Sequence, residues 1–396
     1  MTMAAVIESR TADASARSTS SRIAAIDIFS DLTQAEAVWR SLESQHHLST
    51  PYQRFDFLRP WQQMVGAREG LRPLVVVAYD RDRAPLMLFP LVLKRRWGLR
   101  IAHFMGGKHA TFNMALWNRD FAAAVSRADL DVVFAAVRER TGVDVLAFDQ
   151  QPLSWQDLPN PMSLLPRQIS VNDCPLMAIV PGAPAAARIS HSLRGRLNTK
   201  ERKLKALPGY RYHLAASDGD IKRLLDAFFR IKPLRMAEQN LPNVFAEPGV
   251  EDFIRKACVT PVEGGGRVID IHALESDGDV IAVFAGVADG YRFSMMFNTY
   301  TMSASSRFSP GLILIRHIVD HYAERGYCAL DLGIGSDDYK KQFCKANEPI
   351  FDCFIPLSVR GTVAAMAMST AGRAKRLVKS NPAVMRLAQS MRRLVR

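Results

Sequence analysis

Ser309-Pro310-Gly311 stands at the head of an apolar run that keeps helical spacing to about Glu324. A helix start presents unsatisfied N–H groups and the positive end of the helix dipole, which suits a phosphate. Gly311 would let a ligand approach the backbone, and Pro310 fixes the first turn without removing a needed donor. The same three residues also make a good helix start with no ligand, and spacing alone favours that plainer role. Further on, Asp331 ends an apolar strand beside Gly333 and Gly335, and Tyr339 and Lys340 follow. General acid–base chemistry needs a positioned group that can take or give a proton. Asp331 at the strand end is a candidate base if its carboxylate faces a cleft; a cap on the following turn is an equal alternative. Lys340 or Lys341 could meet a phosphate or an acceptor carboxylate, or simply face solvent.

Other constellations fail on their spacing. His317 and His321 are four apart on the same helical run, but His317-Ile318-Val319-Asp320-His321 lacks the glutamate of a zinc-protease motif, so no metal is expected. Gly264-Gly265-Gly266-Arg267 lacks the Gly-Lys-Ser/Thr ending of a phosphate loop, and Gly333-x-Gly335 has Asp338 where a dinucleotide fingerprint needs its third glycine. The five cysteines are scattered, with no C-x-x-C pair, which argues against a disulfide framework or zinc site and fits a reducing cytoplasm. Cys328 sits in a core-like strand, where cysteine behaves as a small hydrophobe.

The charge is local. The net +13 is accounted for by two segments: residues 188–205, with seven basic side chains against Glu201, and residues 361–396, with eight and no acid. This pattern points to particular anionic partners rather than to a nucleic-acid coat. In the first segment Ile189, Leu193, Leu197 and Leu204 form a core stripe, leaving Arg194, Arg196, Lys200, Arg202 and Lys203 outward. They are either a solvated face or a grip on an anionic acceptor such as a nucleotide sugar or lipid-linked diphosphate sugar, with Arg194 and Lys200 as substrate-binding candidates. In the second, Val384, Leu387, Ala388, Met391, Leu394 and Val395 make an apolar stripe among arginines, the composition of an interfacial helix on an anionic leaflet. The alternatives are a disordered basic tail or a helix docked on protein.

The elements that must hold these residues follow a repeated order. With 48% hydrophobic and 23% charged residues, the 396-residue chain has globular composition and length for two to three domains of roughly 150 residues. No apolar run approaches the roughly 18 residues of a membrane span, and Glu8, Arg10 and Asp13 stand where a signal peptide needs its apolar core. Residues 1–21, rich in Ser, Ala and Thr, read as a disordered tail. Strand-like runs 74–79 and 86–93, a helix over 128–140 stopped by Gly142 and a strand over 143–148 make one unit. Runs 268–274, 280–287 and 291–297, a helix over 311–324 and a strand over 328–332 make a second, with Leu146-Ala147-Phe148-Asp149 matching Ala329-Leu330-Asp331. The expectation is an α/β (α+β) protein of two similar domains, residues 22–183 and 184–360, each a mixed, mainly antiparallel sheet flanked by helices, with a basic amphipathic tail over 361–396.

Phe308-Ser309-Pro310-Gly311-Leu312-Ile313-Leu314, then Asp331-Leu332-Gly333-x-Gly335 and Tyr339-Lys340, resembles the GNAT superfamily of acyltransferases, more narrowly its branch named for cellulose biosynthesis (CelD-like). Phe228-Phe229-Arg230-x-Lys232, Asn243-Val244-Phe245 and Ser192-Leu193-Arg194-x-x-Leu197 are similar to further blocks of that branch. The resemblance covers about residues 190–355 and extends weakly over 25–180 as a degenerate first copy; the two-copy order also resembles the Fem-type aminoacyl-tRNA-dependent ligases. It implies tandem GNAT-like domains, the second binding acyl-CoA, most simply acetyl-CoA, in a sheet that splays open beside a helix start. The donor would lie along the strand carrying Phe297 and Asn298 and on the turn Arg307, Ser309, Pro310, Gly311 and Leu312. Asp331, Tyr339 as the acid, and Lys340 would be catalytic, and Lys232 would join the acceptor site. The common superfamily phosphate motif is reduced here to Gly311. The implied activity is direct acyl transfer to a sugar or envelope or exopolysaccharide precursor, in a cytoplasmic protein that touches the inner membrane face. The competing expectations are a Fem-like transferase and a non-catalytic partner of a polysaccharide synthase.

Overall fold

The computed structural model describes residues 21–44, 46–263, 265–335 and 337–380. In the first half, β1 (Ala25–Phe29), β2 (Arg72–Tyr79), β3 (Pro85–Arg96) and β4 (Leu99–Phe104) pair antiparallel in that order. Helix α1 (Arg127–Thr141) then returns the chain to β5 (Val145–Pro152), which runs parallel to β4. Helix α1 is closed at both ends by its own sequence. Ser126 and Asp129 form a capping box, and Gly142 adopts the left-handed conformation (φ 64°) that ends a helix cleanly. Its buried Leu130, Val133, Phe134 and Val137 lie on the sheet.

The second half repeats the order. After β6 (Cys174–Ala178), α2 (His191–Lys205), β7 (Arg211–Leu214) and α3 (Asp218–Glu238) come β8 (Asp270–Ser276), β9 (Asp279–Ala288) and β10 (Arg292–Tyr300), antiparallel neighbours. Asp277 and Gly278, both at positive φ, make the tight hairpin between β8 and β9. Helix α4 (Pro310–Ala323) leads to β11 (Ala329–Asp331), parallel to β10, and the chain ends its described part with β12 (Ala346–Glu348), β13 (Ile350–Pro356) and helix α5 (Val359–Ser380). The architecture is two mixed, mainly antiparallel sheets flanked by helices.

The boundary between residues 183 and 184 does not separate the sheets. Strand β6 lies in the second sheet between β11 and β12, pairing Leu176 with Asp331 and Cys174 with Glu348. Strand β13 lies in the first sheet beside β5, pairing Ile350 with Pro152 and Pro356 with Val145. Each half lends the other a strand, and one apolar core crosses between them, as at Phe57 against Phe253 (ring centroids 5.2 Å). The N-terminal boundary also shifts slightly: Ser21 already bonds Asp129 through its hydroxyl at 2.8 Å.

Residues 361–380 are not a tail. They form α5, which lies on β13 and β5 through Ala365. Gly361 sets how closely it docks, because a Cβ there would meet the carbonyl oxygen of Asp144 at 1.8 Å. Gly361→Ala is therefore expected to push α5 off the sheet and to lower stability by about 1–3 kcal/mol, the usual cost of overpacking. Thermal melting and limited proteolysis check this: earlier cleavage after residue 357 is expected, and a wild-type melt and cleavage pattern would refute it. The stripe from Val384 to Val395 lies outside the described residues.

Candidate active site

Strands β10 and β11 pair only through Arg292–Ala329, Phe293–Leu330 and Ser294–Asp331 and then part. Beyond that point β10 passes a bulge: Phe297 pairs with Ala285 but Met295 with Gly286, so Met296 is the extra residue. Gly286 is required there, since a Cβ would sit 2.3 Å from the carbonyl oxygen of Ser294. The divergence opens a cleft of ≈ 230 Å³ between the outer half of β10, the first turn of α4 and the chain after β11. Asn298, Ser309, Gly311, Leu312 and Tyr339 all line it, joined by Thr299 and Tyr300.

The floor of the cleft is an uncapped helix start. Ser309 takes a left-handed backbone (φ 58°), unusual for a residue with a side chain, and its hydroxyl makes no cap bond to the helix. No acidic residue lies in the first turn. Instead the Ser309 hydroxyl accepts a hydrogen bond from Lys200 Nζ at 2.7 Å, which sets an ammonium at the positive end of the helix. The neighbouring residue ties α2 to α4. Glu201, buried on α2, receives Arg316 Nη2 at 2.8 Å, His317 Nε2 at 2.7 Å and the Tyr210 hydroxyl at 2.5 Å. Burial alone would raise the Glu201 pKa, but bonds from His317, Tyr210 and Arg316 outweigh it and hold the carboxyl well below the usual range. Lys200 thus belongs to the α4 turn rather than to an outward acceptor grip.

Tyr339 closes the far side. Its hydroxyl accepts from Asn298 Nδ2 at 3.2 Å, and burial pushes the phenol pKa up, so it stays protonated and can donate. Gly311 lies beside Tyr300, where a Cβ would meet the ring at 3.4 Å, an ordinary contact. Tyr300 in turn carries the Arg235 guanidinium at 3.5 Å from its ring centroid.

Several expected residues stand elsewhere. Asp331 does not face the cleft. It is fully buried, its carboxylate bound by Arg292 Nε at 2.8 Å, by the Ser294 hydroxyl and by the Gly333 N–H at 3.0 Å. Arg292, itself only 2% exposed, also bonds Glu348 at 2.6 Å and lies against the rings of Phe112 and Trp155, so this is a structural ion pair linking three strands. Lys340 is buried as well, donating to the carbonyls of Gly333 (3.1 Å) and Ile334 (3.0 Å); it props up the loop after β11 and has no free ammonium for a phosphate. Lys341 faces solvent and pairs with Asp338 at 2.8 Å. Phe297 points to the opposite side of β10, into the core against Phe228 (4.7 Å), as the alternation of a strand requires once Asn298 faces the cleft. Arg194 is spent on Asp320 at 2.9 Å, along α4 and away from its start. Arg307 is exposed and stacks on Phe308, Pro310 is buried at the first helical position, and neither lines the cleft. Lys232 sits on α3 over the Phe245 ring at 5.8 Å, outside the lining, and burial lowers the pKa of its amine.

Three features escape a reading of the sequence: the Met296 bulge, the Arg292 clamp and the pairing of Lys200 with Ser309. The first two are tertiary; only the isolated arginine opening an apolar strand at Arg292 hints at a buried partner.

Residues 191–341 match the family model described as Acetyltransferase (GNAT) domain, a segment that contains the whole cleft. A sequence search of curated proteins finds no match. In fold, the chain is similar to the C-terminal domain of an Agrobacterium fabrum protein described as a lysylphosphatidylglycerol synthetase, at 12% identity and TM-score 0.51 over 86% of this chain and 96% of that one. It is similar to FemX at 8% identity and TM-score 0.54, over 82% of this chain and 96% of that one. A conserved protein of unknown function from Bacteroides thetaiotaomicron gives 10% identity and TM-score 0.50, over 84% of this chain and all (100%) of that one. At these identities the likeness is one of fold. The segment 191–341 thus matches an acetyltransferase (GNAT) domain, and the protein is a transferase.

Proposed function

We propose that the protein transfers an acyl group from acyl-CoA, in the simplest case acetyl-CoA, directly to an amine or hydroxyl of a sugar or envelope or exopolysaccharide precursor. The observation that carries the donor half is the cleft itself: an uncapped helix start with an ammonium at its mouth, beside a strand whose outer edge has lost its neighbour. The diphosphate of the donor would rest at the N–H of Gly311, the first donor of the helix, with Lys200 beside it, and its amide-bearing arm would pair with the edge of β10. The acceptor class rests on the resemblance to the CelD-like branch. Peripheral membrane contact belongs to this reading too, through the exposed Val359, Val363 and Met366 of α5 and the basic residues that follow them.

In the reaction the acceptor nitrogen or oxygen attacks the thioester carbonyl, the carbon–sulfur bond breaks, and Tyr339 gives its proton to the leaving sulfur. The N–H of Met296, the extra residue of the bulge, is the candidate donor for the oxyanion. Among the described residues no carboxylate lines the cleft, so the nucleophile's proton leaves to solvent or to a group of the acceptor.

Two variants test the assignments. Lys200→Met is expected to weaken CoA binding by about 10- to 100-fold, the worth of one charge-assisted contact, and to flatten its salt dependence; unchanged affinity in titration calorimetry would remove Lys200 from the site. Tyr339→Phe is expected to slow thiol release from acyl-CoA by about 10²- to 10⁴-fold, the usual span for a general acid, with donor affinity unchanged. An equal loss in affinity would make Tyr339 a binding residue instead.

A further inference from the structure

The first copy of the fold has its own splay, between the parallel strands β4 and β5, and a cavity of ≈ 490 Å³ opens there. It is not a second phosphate site. The helix between these strands, α1, has its start filled by Ser126 and Asp129, and Asp129 also accepts from the N–H of Arg22 at 3.1 Å. Its lining sets a pair of carboxylates, Asp149 within β5 and Asp352 on β13, beside His103, His109 and Lys94, with Glu69 and Lys108 also at the wall.

Asp149 occupies the place in the first copy that Asp331 occupies in the second. Asp331 is satisfied by a buried arginine, a hydroxyl and a backbone N–H. Asp149 has only its own backbone N–H: among the described residues its carboxylate receives no side-chain hydrogen bond and no ion pair, although it is half-buried in the cavity wall. Burial, with Asp352 beside it, raises its pKa to about 6, so at neutral pH it is largely ionised without a counter-charge. Asp352 is occupied on one side by Ser170 and by the Gln150 N–H at 3.0 Å. The histidines do not supply the missing charge. Burial lowers both to about 4, and His109 accepts the Trp61 indole N–H at Nδ1 (3.0 Å), so both rings are neutral. Lys108 is engaged by Glu247, and Lys94, across the cavity, makes no ion pair with either aspartate. An unmatched buried carboxylate is costly unless a cation or strong donors reach it.

We infer that the cavity between β4 and β5 is a second ligand site, separate from the donor cleft, that takes a small molecule bearing an ammonium group, with Asp149 as its counter-ion. The volume suits a monosaccharide or an amino acid. The inference does not depend on the donor reading, because no residue is shared between the two sites.

The test is titration of the full chain, by calorimetry and by ligand-observed NMR, with glucosamine, lysine, putrescine and spermidine, and with N-acetylglucosamine as a neutral counterpart. At least one amine is expected to bind, N-acetylglucosamine to bind at least tenfold more weakly or not at all, and Asp149→Asn to lose at least tenfold in affinity. Val171→Trp, which fills the cavity from its lining loop, is expected to abolish binding if the Asp149 variant should prove unstable. Gly311→Trp, in the other site, is expected to leave it unchanged. Absence of binding by every amine, equal binding by folded Asp149→Asn, or loss in Gly311→Trp alone would each overturn the assignment.

Discussion

Arg292→Met is expected to cost about 3–5 kcal/mol of folding stability, because it removes the single cation that two buried carboxylates share. Against a typical total of about 5–15 kcal/mol, such a loss leaves the variant marginal. The size follows from position. Asp331 is fully buried and Glu348 is 8% exposed, so neither can recover its hydration when the guanidinium leaves. The methionine fills part of the space beside Phe112 and Trp155 but offers no donor. Removing the charge on the other side should recover part of the loss: Arg292→Met combined with Asp331→Asn leaves one buried carboxylate instead of two, and the two changes should be strongly non-additive. Urea unfolding of the three variants reads this directly. A loss below about 1 kcal/mol in Arg292→Met would mean that water reaches the pair and that Asp331 is open to chemistry after all.

That outcome matters for how the sequence is read. The order of elements was legible because each repeats a local signal: the Asp277-Gly278 hairpin, the Gly142 stop, the apolar runs that became β2, β3, β8 and β9. The start of α4 was legible for the same reason, and so was the grouping of Asn298, Gly311 and Tyr339, which the family resemblance implied. The exchange of β6 and β13 between the sheets was not. Both are short, and their pairing partners lie far along the chain, so nothing in their local pattern says which sheet they join. The roles of Asp331 and Lys340 failed for a related reason. An aspartate after an apolar strand looks the same whether it faces a cleft or an arginine, and Arg292 lies too far back in sequence to reveal itself as the partner. A lysine beside a glycine loop reads as a free charge until the loop's carbonyls are seen to turn toward it. That Lys200 meets Ser309 was not legible either, because only the fold brings α2 to the start of α4.

The account stands or falls on the cleft at the start of α4. Gly311 is the place to block it without harming the fold: its backbone is helical rather than left-handed, and a Cβ would meet only the edge of Tyr300. An indole at that position has to lie in the cleft, over the helix start proposed to hold the diphosphate. The decisive measurement is calorimetric titration of wild type and Gly311→Trp with acetyl-CoA, a longer acyl-CoA and free CoA, with thermal melting to show that both proteins are folded. Binding by wild type and none by a folded Gly311→Trp is the predicted result. Equal binding by both would place the donor elsewhere, and no binding by wild type would contradict the acyl-CoA reading itself.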